Sequence, residues 1–138
     1  MNELWWIWGV RAAGGFHFVT LVAALFTPIP PNWDENLSRL PEIHRRFAVA
    51  QNFFIGATIA FCGAVSVLFA PELVAGSILA RTLCAGIALW WGGRVIVLQW
   101  LRVWPELGGI GWRAGFVLLQ IECVIYALAY GWLAVRPA

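Results

Sequence analysis

The sequence is poor in charge and contains no lysine. Charged residues make up 12% of its 138 residues, all nine basic side chains are arginines, and 62% of the residues are hydrophobic. A soluble domain of this size rarely has so apolar a composition. The shortage of charge therefore predicts a membrane protein and argues against a separate soluble catalytic module. We interpret residues 1–138 as a single transmembrane domain.

Several motifs that carry chemistry are also missing. The three cysteines occur without a CxxC or a cysteine–histidine spacing, so neither a disulfide framework nor a metal site is expected. The sequence contains no GxSxG or HExxH pattern and no P-loop or dinucleotide spacing, which argues against a hydrolase. No basic run indicates nucleic acid as a partner. Any function must therefore be sought within the apolar segments.

What the chain does have is four long apolar runs, each long enough to cross a bilayer as a helix. They predict an all-α fold, namely a polytopic bundle of four transmembrane helices. The first run carries Glu3 and no basic leader, so we expect a permanent span and not a cleaved signal peptide. The tight Pro71–Glu72 connection predicts that the second and third spans form an antiparallel hairpin. The predicted spans are Leu4–Phe26, His44–Ala70, Leu73–Trp104 and Trp112–Val135.

The segment between the first two spans is the one long polar stretch. The prolines within Pro28–Pro31 are expected to end the first span, because proline cannot continue a helix. Asn32 then suits the N-cap of a short interfacial helix. Leu37 and Leu40 would face the lipid. This loop therefore predicts a membrane-surface helix before the second span.

The arginines are distributed unevenly between the two faces of the predicted bundle. If the face that holds the N-terminus is called side A, more arginines lie on the opposite face, side B. The positive-inside rule then puts side B in the cytoplasm and both termini outside it, which predicts a multi-pass protein of the cell inner membrane. Side B carries Arg39, Arg45, Arg46, Arg102 and Arg113, and side A carries Arg81 and Arg136.

Small residues recur on two spans at the intervals that allow close packing. Gly56, Ala60 and Gly63 follow one face of the second span, and Gly86 and Gly93 occur on the third. Small side chains at such intervals let the backbones of two helices approach closely in lipid. We therefore expect close helix contacts at these positions.

Four polar residues, one on each predicted span, fall at a similar depth. With a rise of about 1.5 Å per residue, His17 and Glu122 lie about 18 Å from side A, and Asn52 and Arg94 lie about 25 Å from it. An ionised carboxylate in the middle of a bilayer needs a partner. Arg94 is the first candidate partner of Glu122, and His17 is the second. These four residues predict a polar pocket within the bundle.

Aromatic residues accompany this constellation and complete the predicted ligand site. Trp90 and Trp91 precede Arg94 by four and three residues, so that one indole is placed to flank the guanidinium. Tyr126 shares a helix face with Glu122.

The second histidine belongs elsewhere. His44 is expected at the side B interface, about 20 Å deeper than His17, so the two do not share a metal or a haem. A haem held by His17 alone is a less favoured alternative.

Two stretches resemble known families. The runs NWDENLSRLPEIHRRFAVAQNFFIG and ALWWGGRVIVLQW are similar to a family of small four-helix bacterial membrane proteins with no activity known to us, which implies membrane location and helix count. The start of the second span also resembles the membrane-associated eicosanoid and glutathione metabolism superfamily, also four helices. That superfamily has an acid where this chain has Ile55, so no catalytic role is carried over. The matching residues are Pro41, Glu42, Arg45, Phe47 and Asn52.

Three interpretations of the constellation remain open from the sequence. The favoured one is binding of a lipophilic molecule with a polar end, such as a quinone or a lipid, by a homo-oligomer or a small subunit of a membrane complex. The first alternative is a membrane enzyme that uses Glu122 or His17 in acid–base chemistry on such a molecule. The second is a transport or structural subunit in which the polar residues conduct protons or ions, or clasp the helices together.

Overall fold

The computed structural model describes residues 3–26 and 32–136, and this part of the chain is helical without any strand. Four helices are long and apolar enough to cross a membrane. They confirm the predicted all-α architecture and its four long apolar helices, while membrane insertion is inferred from their composition. The helices are α1 (Glu3–Phe26), α2 (Trp33–Ser38), α3 (Glu42–Leu68), α4 (Ala70–Ala75), α5 (Ile78–Trp100) and α6 (Ile110–Val135), with a 3₁₀ turn at Trp104–Glu106.

The connection between α3 and α5 is longer than the sequence predicted. Leu73 was expected to begin the third span, but it belongs to α4, a short helix with Pro71 in its first turn. Gly76 ends α4 with φ of 74°, a conformation that glycine adopts without strain. Ser77 then caps α5, because its Oγ accepts a backbone N–H of the first turn at 3.2 Å. The prediction of a direct hairpin turn at Pro71–Glu72 was therefore wrong.

The third span also ends earlier than expected, at Trp100 and not at Trp104. The chain turns at Arg102, whose φ of 49° is incompatible with a continuing right-handed helix. The 3₁₀ turn that follows leads into α6, which begins at Ile110, two residues before the predicted Trp112. The backbone turn, and not a change in hydropathy, sets this boundary.

The long helices pack as two pairs. α1 lies along α3, and α5 lies along α6, while α4 contacts α1, α3 and α5. The prediction that the second and third spans form a packed hairpin was wrong, since α3 and α5 are adjacent in the chain but do not pack along their length. In a bilayer, helix association depends on local packing and hydrogen bonds, so adjacent spans are not bound to pair.

Two glycines allow α1 and α3 to approach closely. A Cβ added at Gly14 would lie 2.9 Å from the carbonyl oxygen of Gly63, and a Cβ at Gly63 would lie 3.0 Å from Cβ of His17. The close contact predicted at Gly63 is therefore present, with Gly14 as its partner. Gly86 and Gly93 differ, because a Cβ at either position would meet nothing within 4 Å. The expectation of close packing at these two glycines of α5 was wrong.

The predicted short helix before the second span is present as α2. Asn32 precedes it with φ of 60°, a left-handed conformation that asparagine tolerates, but its side chain makes no capping hydrogen bond. Leu40 is exposed as expected, whereas Leu37 is buried, so the prediction for Leu37 was wrong. The prolines predicted to end the first span, within Pro28–Pro31, lie outside the described residues.

Large apolar side chains cover the outside of the long helices. Ile110 is 90% exposed, Leu89 is 77% exposed and Leu128 is 69% exposed. A water-soluble protein rarely exposes apolar surface on this scale. The exterior is suited to the hydrocarbon of a bilayer, which leaves the buried polar groups as the features that need an explanation.

Candidate functional site

A hydrogen-bonded cluster centred on His17 joins the two helix pairs. His17 is fully buried on α1. Nε1 of Trp91, on α5, donates to Nε2 of His17 at 3.1 Å, and Nδ1 of His17 donates to the carbonyl oxygen of Ala13 at 2.7 Å. An indole N–H can only donate, and a carbonyl oxygen can only accept. The imidazole is therefore neutral in this arrangement and carries its proton on Nδ1.

Aromatic rings from α5 and α6 surround this imidazole. The ring of Tyr126 stacks on His17 with a centroid distance of 4.2 Å. Trp91 and Tyr130 meet the imidazole edge-on, with centroid distances of 5.2 Å and 6.3 Å. All three aromatic residues are buried. The hydrogen-bond partners of both ring nitrogens of His17, and the rings packed around it, are thus all groups of the protein itself.

Glu122 has its partners on α1 and on its own helix. Its Oε1 accepts hydrogen bonds from Oγ1 of Thr20 at 2.5 Å and from the hydroxyl of Tyr126 at 2.7 Å. Among the described residues, no arginine or histidine forms an ion pair with it. The predicted Arg94–Glu122 pair was therefore wrong, and two hydroxyl groups solvate the carboxylate instead.

Each of these hydroxyls also lies near a backbone acceptor. Oγ1 of Thr20 is 3.0 Å from the carbonyl oxygen of Phe16, and the Tyr126 hydroxyl is 3.2 Å from that of Ala13. A hydroxyl has one proton and serves one acceptor at a time. When Glu122 is ionised, both protons point to its carboxylate. When Glu122 is neutral, its carboxyl group donates its own proton to one of the two hydroxyls. That hydroxyl then donates to the backbone carbonyl oxygen beside it.

A second polar contact joins α3 to α6. The hydroxyls of Ser66 and Tyr130 are 2.5 Å apart, and Oγ of Ser66 donates to the carbonyl oxygen of Cys62 at 2.7 Å. Since the Ser66 proton is used in this way, the Tyr130 hydroxyl is the donor between the two side chains. The contact is fully buried, and it ties the two helix pairs together beside His17.

Arg94 lies apart from the carboxylate that was expected to pair with it. Its guanidinium approaches the Trp91 ring at 5.8 Å from the centroid and lies close to Cys123. Successive helical residues are rotated by about 100°, so Glu122 points towards α1 when Cys123 faces α5. Nε of Arg94 is buried and has no hydrogen-bond partner among the described residues. The predicted flanking of Arg94 by an indole is present, through Trp91.

Asn52 does not join the cluster. It is exposed on α3 and takes part in no side-chain hydrogen bond that the structure describes. The contacts of Gly63 with Gly14 and of Gly56 with Leu21 set an antiparallel register between α1 and α3. That register puts Asn52 level with the exposed end of α1. Asn52 therefore lies about 12 Å along the helix axis from the level of His17, so the prediction that it shares the depth of the other polar groups was wrong.

A groove separates α3 from α5, and Trp90 lines it. The groove has a volume of about 370 Å³. Nε1 of Trp90 is buried without a hydrogen-bond partner in the described part of the chain, and so is the side-chain amide of Gln120 on α6. Trp90 and Arg94 are four residues apart, so they lie on the same side of α5. The groove is also lined by Gln51, Phe54, Ile55 and Thr58.

Sequence reasoning missed three members of the buried network. Thr20 follows His17 by three residues and therefore shares its helix face. Ser66 shares a helix face with Gly63, and Tyr130 follows Tyr126 by four residues. These spacings were signals for all three residues, but only the rotation and register of the helices determine which hydroxyl meets which acceptor.

Comparison with known proteins finds no matching family model, no similar curated protein and no similar solved structure. The two family resemblances noted in the sequence thus remain expectations.

Proposed function

We propose that this chain is an integral membrane protein that binds a lipophilic molecule with a hydrogen-bond-accepting end, such as a quinone or a lipid, in the groove between α3 and α5. The observation that carries this proposal is a pair of donors on one side of α5. Nε1 of Trp90 and Nε of Arg94 are both buried, and neither has an acceptor among the described residues.

Unpaired donors are costly in this setting. The hydrocarbon core of a bilayer holds no water to accept a hydrogen bond, so an unsatisfied N–H group costs several kcal/mol there. Arg94 also keeps its charge, because a guanidinium does not lose its proton in proteins. The two residues are about 6 Å apart along the helix axis, within reach of one polar end group. A carbonyl or anionic oxygen would supply the missing acceptor.

The groove has the size and lining that such a molecule requires. Its volume of about 370 Å³ lies within the usual range of small-molecule sites. Phe54 and Ile55 give it an apolar wall, while Gln51 adds an amide. The hydroxyl of Thr58 donates to the carbonyl oxygen of Phe54 at 2.8 Å, so it is not free to donate to a ligand. Nε1 of Trp90 is therefore the unpaired donor in the described lining of the groove, and Arg94 lies one helical turn further along α5, outside that lining.

Native mass spectrometry tests this proposal directly. The protein would be extracted in native lipid particles, with an absorption spectrum recorded beside the mass spectrum. We expect wild type to retain one molecule in fixed ratio. Trp90→Phe keeps an aromatic ring but loses the N–H, so retention should fall about fivefold for the loss of one hydrogen bond of about 1 kcal/mol. Arg94→Gln should lower retention further.

Trp100→Phe is the matched control, since Trp100 is on the same helix but 77% exposed and outside the groove. It should retain the molecule like wild type. Wild type carrying only bulk lipid, or equal losses in Trp90→Phe and Trp100→Phe, would contradict the proposal. A second copy of the chain could instead supply the acceptors for these donors. The protein would then be an oligomer without another bound molecule, and Trp90→Phe would dissociate it.

An acid–base enzyme using Glu122 and His17, also predicted from the sequence, has less support. Neither residue lines the groove between α3 and α5. Both ring nitrogens of His17 are engaged by Trp91 and Ala13, which also leaves no free nitrogen for a haem. A turnover that depends on pH and is lost in Glu122→Gln would favour catalysis over binding.

A further inference from the structure

A second groove lies between the short helix α2 and the first turns of α3. Its volume is about 640 Å³. Leu37, Val49 and Phe53 contribute apolar side chains to it. The charged residues that line it are Asp34, Arg45 and Arg46. Apolar and charged groups in one open groove are the combination that a lipid presents, with its acyl chains on one side and its headgroup on the other.

Two opposite charges in this groove have no partner among the residues that the structure describes. Asp34 and Arg45 form no ion pair, with each other or with any other residue that the structure describes, and their side chains make no hydrogen bonds there. The other charges of this segment are compensated locally, one helical turn apart, through the pairs Glu35–Arg39 and Glu42–Arg46. The groove therefore offers one free anion and one free cation to an occupant.

We propose that this groove binds the headgroup of a zwitterionic phospholipid with a primary ammonium group, as in phosphatidylethanolamine. The Arg45 guanidinium donates to the phosphate oxygens, because its planar fork matches their geometry. The ammonium of the lipid donates to the carboxylate of Asp34. The acyl chain follows Val49 and Phe53 along α3.

The position of the groove on the bundle agrees with this orientation of the lipid. α3 begins at Glu42, and Phe53 lies about 16 Å further along its axis. The charged residues are near the start of the helix, where the headgroups of a bilayer lie, and the apolar residues continue into the hydrocarbon. An arginine at this level is also where a lipid phosphate is attracted most strongly.

The pair of charges also discriminates among headgroups. A primary ammonium has three N–H donors for the Asp34 carboxylate, whereas the quaternary ammonium of phosphatidylcholine has none. Phosphatidylglycerol has the phosphate but no cation, so it would leave Asp34 unpaired beside an added negative charge. We therefore expect phosphatidylethanolamine to be retained best of the three.

Lipid retention in nanodiscs tests the proposal. Wild-type protein in equimolar phosphatidylethanolamine, phosphatidylcholine and phosphatidylglycerol would be released into the mass spectrometer, and the retained lipids counted. Wild type should prefer phosphatidylethanolamine about two- to fivefold over phosphatidylcholine, the range of one partly exposed ion pair. Asp34→Asn should abolish this preference, and Arg45→Gln should lower the retention of all three lipids.

Arg39→Gln is the matched control, because Arg39 is an exposed cation of the same segment that does not line the groove. It should behave like wild type. A series of ethanolamine lipids with one, two and three N-methyl groups tests the idea without changing the protein, and retention should fall as N–H donors are lost. Equal retention across that series, a preference for phosphatidylglycerol, or the same effect from Arg39→Gln as from Arg45→Gln would overturn the proposal.

The two grooves share Phe54, but Asp34 and Arg45, which carry the headgroup proposal, do not line the groove between α3 and α5. Asp34→Asn should change the headgroup preference without releasing the molecule held near Trp90. Trp90→Phe should lower the retention of that molecule without changing the headgroup preference. Each proposal can therefore fail while the other stands.

Discussion

Replacing Gly14 by alanine should weaken the contact between α1 and α3. The new Cβ would lie 2.8 Å from Cγ2 of Val67 and 2.9 Å from both Cβ of Ser66 and the carbonyl oxygen of Gly63. Carbon atoms in good contact are about 3.5–4.0 Å apart, so the helices would have to separate by at least about half an ångström. Because one of the clashing atoms belongs to the backbone, no change of rotamer relieves the overlap.

The expected cost follows from this geometry. Overpacking of a well-packed contact costs about 1–3 kcal/mol. Separation of α1 from its neighbours would also strain the 3.1 Å bond between Trp91 and His17. We therefore expect the free energy of unfolding of Gly14→Ala to be about 1–3 kcal/mol lower than that of a glycine-to-alanine change in the same helix that meets no neighbour. Unfolding by sodium dodecyl sulfate in mixed micelles, followed by tryptophan fluorescence and circular dichroism, measures this change.

Gly15→Ala is the control on the next residue of α1. A Cβ at Gly15 would meet no atom within 4 Å. Alanine is the better helix former by about 1 kcal/mol, so this variant should be as stable as wild type or more so. A free energy of unfolding of Gly14→Ala equal to that of Gly15→Ala would contradict this prediction, because both variants gain the same helix propensity.

Two further predictions concern the buried hydroxyls. Tyr130→Phe should lower the free energy of unfolding by about 1 kcal/mol, because one hydrogen bond is lost while Ser66 keeps its bond to the backbone. A variant as stable as wild type would show that the Tyr130 bond contributes nothing. Thr20→Val should cost about 1.5–3 kcal/mol, since it removes a donor to the Glu122 carboxylate, whereas Thr58→Val removes only a bond to a carbonyl of its own helix. Equal losses in the two threonine variants, in the same unfolding assay, would contradict this.

The level of some polar residues was readable from the sequence, because helical rise is constant. Counting residues brought His17 and Glu122 to one level, and the structure connects them through Tyr126. The same count also brought Asn52 near that level, but the register of α3 against α1 puts Asn52 about 12 Å away, exposed on α3. Depth fixes one coordinate of a side chain, but contact needs the rotation of its helix and the identity of the neighbouring helix as well.

Helix pairing was the part of the fold that the sequence did not reveal. In a soluble bundle, an apolar stripe identifies the face that meets a neighbour. Here the outward faces are apolar too, as the exposed Leu89 and Leu128 illustrate, so that no stripe marks the interface. The glycine pattern was informative at Gly63 and misleading at Gly86, because a small residue permits close approach without requiring it.

The partner of Glu122 was missed for a related reason. Charge alone favoured Arg94, which is half-buried on α5, over the hydroxyl of Thr20. A carboxylate is stabilised by any well-placed donors, and two hydroxyls on the correct helix faces are sufficient. Arg94 instead lies beside Trp91 and Trp90, and its Nε has no acceptor among the described residues. This unpaired donor is a strong indication of a ligand.

The most direct test of the proposed ligand site compares two adjacent indoles by nuclear magnetic resonance. In ¹⁵N-tryptophan-labelled protein, the Nε1–H signals of Trp90 and Trp91 would be assigned with phenylalanine variants and recorded before and after complete delipidation. Trp91 donates to His17 within the protein, so its signal should stay in place, while the Trp90 signal should shift as its acceptor is removed. A Trp90 signal that does not respond, or a shift of equal size at Trp91, would contradict a ligand held in the groove between α3 and α5.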